Sequence, residues 1–299
     1  MNPAWKKIFG SLWLLFWTLS AGPVDAATKC FVSIAPQRYF VQKIGGSLVD
    51  VSILVSPGAD PHTYEPKPRQ MAELAQSALY FALGIDFEKA WLKRIAGTNR
   101  QLRIIHTDAG IEKINMAAHN HAKNGRHQND RSRHHHGTAP DPHIWLSPPL
   151  VKQQAEHILR ALIAVDPANQ GHYKTNFAVF AAELEALDGE LKALLAGIRG
   201  ESFLVLHPSW GYFAHAYGLV QVPIEIEGKD PKPAQLQRLI GQAKAEAIKR
   251  VFVQPQFSAK NAETVAREIG GAVVYADPLA ENWAENLRDV ARKLMARER

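Results

Sequence analysis

The chain has 299 residues, with Lys+Arg 35 against Asp+Glu 29, a formal net charge of +6, 46% hydrophobic residues, 13 His and one Cys. That balance supports one or two packed domains and excludes a wholly disordered, collagenous or multi-span membrane protein. A single cysteine also excludes an intrachain disulfide framework and any zinc finger or iron–sulfur site built on Cys spacing, which leaves the histidines as the feature to explain.

The opening segment carries Lys6 and Lys7, then an apolar run from Ile8 to about Leu19, then Val24-Asp25-Ala26 as a small-residue cleavage pattern. This is the grammar of a secretory signal peptide over residues 1–26, with an apolar core too short for a comfortable membrane span. The mature chain is therefore expected to work outside the cytoplasm. Cys30 follows Lys29, whereas lipidation signals place a small residue there, so a structural thiol is expected rather than a lipid anchor.

From Thr28 onward, short β-rich runs alternate with helical patterns. Strands are expected at Cys30–Ile34, Val51–Val55, Leu79–Leu83 and Leu102–Ile105, with helices near Gln37–Ile44, Arg69–Ala75 and Phe87–Ile95. A second set follows, with strands at Phe203–Leu206, Val220–Ile224, Val251–Val253 and Ala272–Tyr275. Its helices are expected near Trp210–Tyr217, Ala234–Ala247, Ala262–Ile269 and Asn282–Met295. This alternation predicts an α/β protein of two lobes, each with a mainly parallel sheet flanked by helices.

Between the sets, Tyr173, Phe177, Phe180, Leu184, Leu187, Leu191, Leu194 and Ile198 follow one another at alternating steps of four and three, one apolar stripe of a long helix. A helix of about thirty residues spans roughly 45 Å. It is either a stiff strut joining two lobes or a core helix of one large domain. The expected divisions are residues 27–166 for the first lobe, 167–199 for the linking helix and 200–299 for the second lobe.

The stretch 119–136 has another character. It holds His119, His121, His127, His134, His135 and His136 among polar and basic residues with almost nothing to nucleate a core, so it reads as a mobile loop. Either its imidazoles capture metal weakly and raise its local concentration, or it is a solvated, dispensable insertion. Much of the net charge sits there, and the remainder is dispersed without aromatic–basic alternation, so nucleic acid is rejected as a partner.

Four polar residues stand beside proline. Asp60-Pro61-His62 and Asp141-Pro142-His143 place a His after it, and His207-Pro208 and Asp277-Pro278 place a polar residue before it. Proline stiffens the backbone on both sides, and rigid placement is what a metal ligand needs. His207 and Asp277 also end predicted parallel strands, the edge at which open α/β sheets bind ligands. Three imidazoles and one carboxylate make a closed tetrahedral set suited to Zn²⁺. Asp60 and Asp141 are either acceptors for the other imidazole N–H or turn formers.

The segment GADPHTYEPKPRQMAELAQSALYFALG resembles the first metal-binding segment of ZnuA-type and TroA-type periplasmic proteins, the solute-binding components of zinc and manganese ABC importers. DPHIWLSP, LVLHPSWGYFAHAYGL and YADPLAENW resemble the second, third and fourth segments, in order, and the likeness covers essentially the whole mature chain. It implies metal ligation by His62, His143, His207 and Asp277 between two lobes joined by a rigid helix. It also implies a monomeric, non-enzymatic periplasmic protein that delivers Zn²⁺ to a membrane permease. Some zinc members carry a disulfide in the second lobe, which this chain cannot form. His at the third position is the choice of zinc members, where manganese members carry Glu, and nitrogen donors favour zinc independently.

Other readings are a manganese or iron importer component, a metal-dependent adhesin or sequestering protein, and a secreted zinc hydrolase. The last needs an open coordination position and a general base, and no His-Glu-x-x-His is present. Because imidazole must be neutral to coordinate, zinc affinity is expected to fall as pH drops through about 6.5.

Overall fold

The computed structural model describes residues 27–116, 140–226 and 229–296. The expected signal segment and the His-rich stretch, with His119, His121, His127, His134, His135 and His136, lie outside the described residues.

In chain order the first lobe runs β1 (Thr28–Val32), α1 (Ala35–Gly45), β2 (Val49–Ile53), α2 (Pro68–Leu74), β3 (Leu79–Ala82), α3 (Asp86–Thr98) and β4 (Arg103–His106). Its four strands lie in the order β2-β1-β3-β4, and every pairing is parallel. β1 and β2 start two residues earlier than expected because the ladder extends past the apolar run, pairing Thr28 with Val49. β3 is buried throughout, as a strand covered on both faces must be.

Next comes α4 (Pro148–Val165), which the sequence reading did not anticipate. The helix opens on paired prolines at 148 and 149, and proline suits the first turn of a helix, where its missing N–H has no partner to lose. The signal was present: Val151, Ala155, Ile158 and Leu162 fall at steps of four, three and four, and all four are buried.

α5 (Gln170–Leu195) is the long helix, 26 residues or about 39 Å, extended at each end by a 3-10 turn, Pro167–Asn169 and Ala196–Ile198. Tyr173, Phe180, Leu184, Leu187 and Leu191 of its stripe are buried. α5 does not stand free between the lobes, for it packs on α1 and α4 on one side and on elements of the second lobe on the other.

The second lobe runs β5 (Ser202–Val205), α6 (Gly211–Tyr217), β6 (Val220–Pro223), α7 (Pro233–Ala245), β7 (Arg250–Val253), α8 (Lys260–Glu268), β8 (Ala272–Tyr275) and α9 (Trp283–Met295). Its order, β6-β5-β7-β8, repeats that of the first lobe, again all parallel. One apolar cluster runs through the first lobe and α5 into α6 and α9. A separate one, including Leu204, Val251, Leu239 and Val265, lies under α7 and α8. At the centre of the large cluster the rings of Phe40 in α1 and Trp283 in α9 meet edge to face at 5.1 Å, with Phe180 of α5 stacked at 6.1 Å from Phe40. The linking helix is thus also part of a shared core, which holds the two sheets in one mutual arrangement.

Candidate metal centre

The carboxyl ends of both sheets meet at this seam. His62 lies on the loop between β2 and α2, His143 just before a 3-10 turn (Ile144–Leu146) that leads into α4, and His207 two residues beyond β5. Although 145 positions separate the first from the last, one ring nitrogen from each lies within 4.8 Å of those of the other two. The rings are 4.9 Å apart for His62 and His207, 5.5 Å for His143 and His207, and 5.6 Å for His62 and His143, centroid to centroid.

Each imidazole meets one carboxylate through Nδ1. His62 meets Asp86 Oδ2 at 3.0 Å, His143 meets Asp141 Oδ1 at 2.7 Å, and His207 meets Glu225 Oε2 at 2.9 Å. An ionised carboxylate only accepts, so Nδ1 carries the proton and Nε2 presents its lone pair. The Nε2 atoms of His62 and His207 are buried and have no hydrogen-bond partner within the protein. A buried, unpaired acceptor is costly, and two of them converging with a third ring are explained by a cation that takes all three. Burial holds His143 below its ordinary 6.5, although Asp141 pulls the other way, so this ring is neutral and ready to coordinate at neutral pH. The His62 ring N–H, followed by Lys89, keeps Asp86 well below the usual carboxylate range and therefore ionised.

The backbone around the ligands is held in different ways. Asp141 Oδ1 accepts the His143 backbone N–H as well as its ring N–H, so one oxygen fixes both. Gln254, buried, brackets His207: its Oε1 accepts from His207 N at 3.3 Å, and its Nε2 donates to His207 O at 2.7 Å. Phe257 stacks on the His207 ring at 5.1 Å, and Trp145 lies against the His143 ring at the same distance. Asp60 Oδ1 accepts the His62 backbone N–H, and its other oxygen accepts from Thr63 Oγ1. Of the two aspartates that precede a Pro-His pair, Asp141 is thus both turn former and imidazole acceptor, while Asp60 is a turn former only. Asp86 orients His62 in its place.

Asp277 is not in the three-residue set. Its Oδ1 is taken by Gln256 Nε2 at 2.8 Å and by the backbone N–H of Leu279 at 2.9 Å, so that oxygen forms the turn after β8. The local turn chemistry that Asp-Pro sequences favour has claimed half of the carboxylate.

Residues that sequence reasoning missed are Asp86, Glu225 and Gln254. Asp86 stands 24 positions from His62 and Glu225 stands 18 from His207, so no local motif joins them. The available signal was topological: both acids follow the carboxyl ends of strands, β3 and β6, that adjoin β1 and β5 in the sheets.

Across the seam, Trp145 Nε1 donates to Pro278 O, and Trp283 Nε1 donates to Trp145 O, each at 2.7 Å. Tyr212 Oη donates to Asp141 O at 3.0 Å and accepts from Ile114 N at 3.1 Å. Gly211 is required beside it, since a side chain there would meet Asp141 Oδ2 at 2.6 Å.

Known proteins resemble this chain in sequence and in fold. The B. subtilis (strain 168) high-affinity zinc uptake system protein ZnuA is 30% identical over 239 residues, covering 79% of this chain and 73% of that protein. The zinc-binding protein AdcA of Streptococcus pyogenes serotype M3 is 28% identical over 85% of this chain, which spans 51% of AdcA's length. A crystal structure of ZnuA superposes with a TM-score of 0.81 at 44% identity, covering 90% of this chain and 98% of that one. A laminin-binding protein of Streptococcus agalactiae, at 22% identity and a TM-score of 0.75, shares the fold. Residues 30–296 match the family described as zinc-uptake complex component A, periplasmic, and the chain belongs to that family.

Proposed function

We propose that this protein captures Zn²⁺ between its two lobes and hands it to the membrane permease of an ABC importer. The observation that carries the reading is the convergence of three imidazoles, each held by a carboxylate through Nδ1, with two buried Nε2 atoms left without a protein partner. Three nitrogen donors suit zinc better than the harder manganese ion. A zinc-bound ZnuA deletion mutant superposes on this chain with a TM-score of 0.80 at 44% identity, which supports the same ligand here.

His62, His143 and His207 supply three ligands. Asp277 supplies the fourth through the oxygen that the turn does not use, and so closes the shell. A closed shell of protein ligands leaves no position for a reactive water, so the protein binds and releases without catalysing a reaction. The chain divides into a signal peptide at 1–26, a first lobe at 27–166, a linking helix at 167–199 and a second lobe at 200–299. The protein works as a monomer in the periplasm without a lipid anchor. Supporting this, Cys30 lies inside β1 with its thiol buried and pushed up to about 12, chiefly by burial, and so is placed as a core residue. No helix among the described residues is long and apolar enough to cross a membrane. The imidazoles of the 119–136 stretch add weaker, exchangeable capture at scarce zinc.

A competition titration of the purified protein with Zn²⁺ and Mn²⁺ tests the reading. Zinc is expected to bind at one tight site and to outcompete manganese. Preference for Mn²⁺ would overturn it. Repeating the titration on Asp277→Ala tests the fourth ligand, whose loss is expected to weaken zinc by at least about tenfold.

A further inference from the structure

We infer that Asp86 and Lys89 are positioning residues for His62, and that the arm carrying His62, residues 56–67, is the part of the site that moves when zinc enters and leaves. This rests on the zinc-capture reading and adds to it which ligand is let go first.

The three ligands are anchored unequally. The side chains of His143 and Asp141 are 2% and 1% exposed, whereas those of His62 and Asp86 are 17% and 47% exposed. A hydrogen-bonded pair sealed from water has no competitor for its partners, while one open to solvent exchanges them readily. His143 is also built into the seam. Moving it means breaking the bonds from Trp145 to Pro278, from Trp283 to Trp145 and from Tyr212 to Asp141, all of which reach the second lobe. His207 is bracketed by Gln254, oriented by Glu225 and stacked on Phe257.

The His62 arm lacks such ties. The strand ladder carries on to Leu54 and Val55, whose N–H groups bond Val32 O and Ser33 O, and the arm departs after them. Beyond that point the hydrogen bonds of the described arm residues stay within the first lobe. They include the Asp60 turn, Ala59 N to Ser56 O, Ser56 with Tyr64, Tyr64 with Gln70, Lys67 with Gln70, Met71 N to Lys67 O, and His62 with Asp86. Gly58, with φ of 78° and open space where a side chain would stand, gives the arm a turn that other residues resist.

What holds the ligand in place is therefore a short external chain. Asp86 bonds His62 through Oδ2 and receives the Lys89 ammonium on Oδ1 at 2.7 Å, one helical turn along α3. Lys89 fixes the carboxylate, and the carboxylate fixes the ring plane and tautomer of His62. Loosening this chain shortens the residence of zinc without altering the His143–His207 pair that receives it.

The test uses the full chain with Zn²⁺ as the probe. Stopped-flow transfer to a chelator gives association and dissociation rates separately, and hydrogen exchange compares the zinc-free and zinc-loaded forms. Asp86→Ala is expected to speed dissociation by at least about tenfold with association within about threefold of the unmodified protein. Asp86→Asn, which keeps an acceptor oxygen, should recover most of the residence time. Lys89→Met, a change at an exposed position, should shift dissociation about two- to threefold in the same direction as Asp86→Ala. In the unmodified protein, zinc-dependent protection should concentrate in 56–67. Unchanged dissociation in both Asp86→Ala and Lys89→Met, or protection concentrated in 141–147 or 203–212, overturns the inference while leaving zinc capture intact. Failure of the unmodified protein to bind Zn²⁺ overturns the capture reading itself.

Discussion

The two lobes share one strand order and bring metal-binding side chains to the same edge of their sheets, yet they hold them differently. In the second lobe His207 leaves a strand almost directly, and a buried glutamine secures its backbone from the neighbouring strand's end. In the first lobe both histidines sit on longer connections, and each depends on an aspartate. Asp141 is sealed in the seam and Asp86 stands at the surface. A common topology thus sets where ligands appear, while burial of the orienting acid sets how firmly each is held. The result is one site with a fixed side and a yielding side.

Removing the fixed side should have the largest effect. His207→Ala takes away the second lobe's only imidazole in the set, and zinc affinity measured by chelator competition should fall by well over about 100-fold, beyond what loss of an orienting partner costs. The orienting acids should then rank by burial. Asp141→Ala is expected to cost about 100-fold in zinc affinity and Asp86→Ala about tenfold, measured in parallel with thermal melts of the metal-free forms. Equal losses would erase the distinction between the two sides.

A buried acid separates the lobes in another way. Glu88, at the start of α3, accepts from Leu83 N, Gly84 N and the Ser33 hydroxyl, and burial pushes it up to about 7 from 4.5. A carboxyl raised in the folded state contributes stability that is full below about 4.5 and is lost as pH rises through about 7. Denaturant midpoints of the metal-free protein should therefore decline over that window by about 3 kcal/mol of stability, and Glu88→Gln should flatten the decline.

Smaller still, Trp145→Phe removes one buried cross-lobe hydrogen bond while keeping most of the ring, and should cost about 1–2 kcal/mol in urea unfolding. Deleting residues 117–139 should leave the tight site within about threefold of its affinity while lowering the total zinc bound at saturation, as counted by equilibrium dialysis.

Much of this molecule was legible before folding. The alternation of β-rich runs and helical stretches located all eight strands of the described residues, β8 to the residue, and the proline-flanked histidines marked the three imidazoles that converge. The stripe from Tyr173 to Ile198 marked α5, although the choice between strut and core helix dissolves because the helix packs on both lobes. What was hidden depends on distance along the chain. Asp86 and Glu225 become partners of His62 and His207 only through strand order, and the bracket that Gln254 forms around His207 spans 47 positions. α4 is different, because its signal is local, the stripe Val151, Ala155, Ile158 and Leu162 behind two opening prolines. Asp277 is of a residue type fit both for ligation and for a turn, and its Oδ1 serves the turn while the other carboxylate oxygen does not.

Asn115 and Pro140 form an antiparallel bridge, with Asp141 N bonded to Ile114 O at 2.8 Å and Tyr212 fastening both chains from the second lobe. The chain is thereby brought back to within a bond's length of itself immediately before the segment that bears His143. The two stems and Tyr212 fix the path on which the chain enters the segment that carries that ligand. A clasp of this kind anchors the approach to His143 from residues that are themselves described, two on each stem and one from the other lobe.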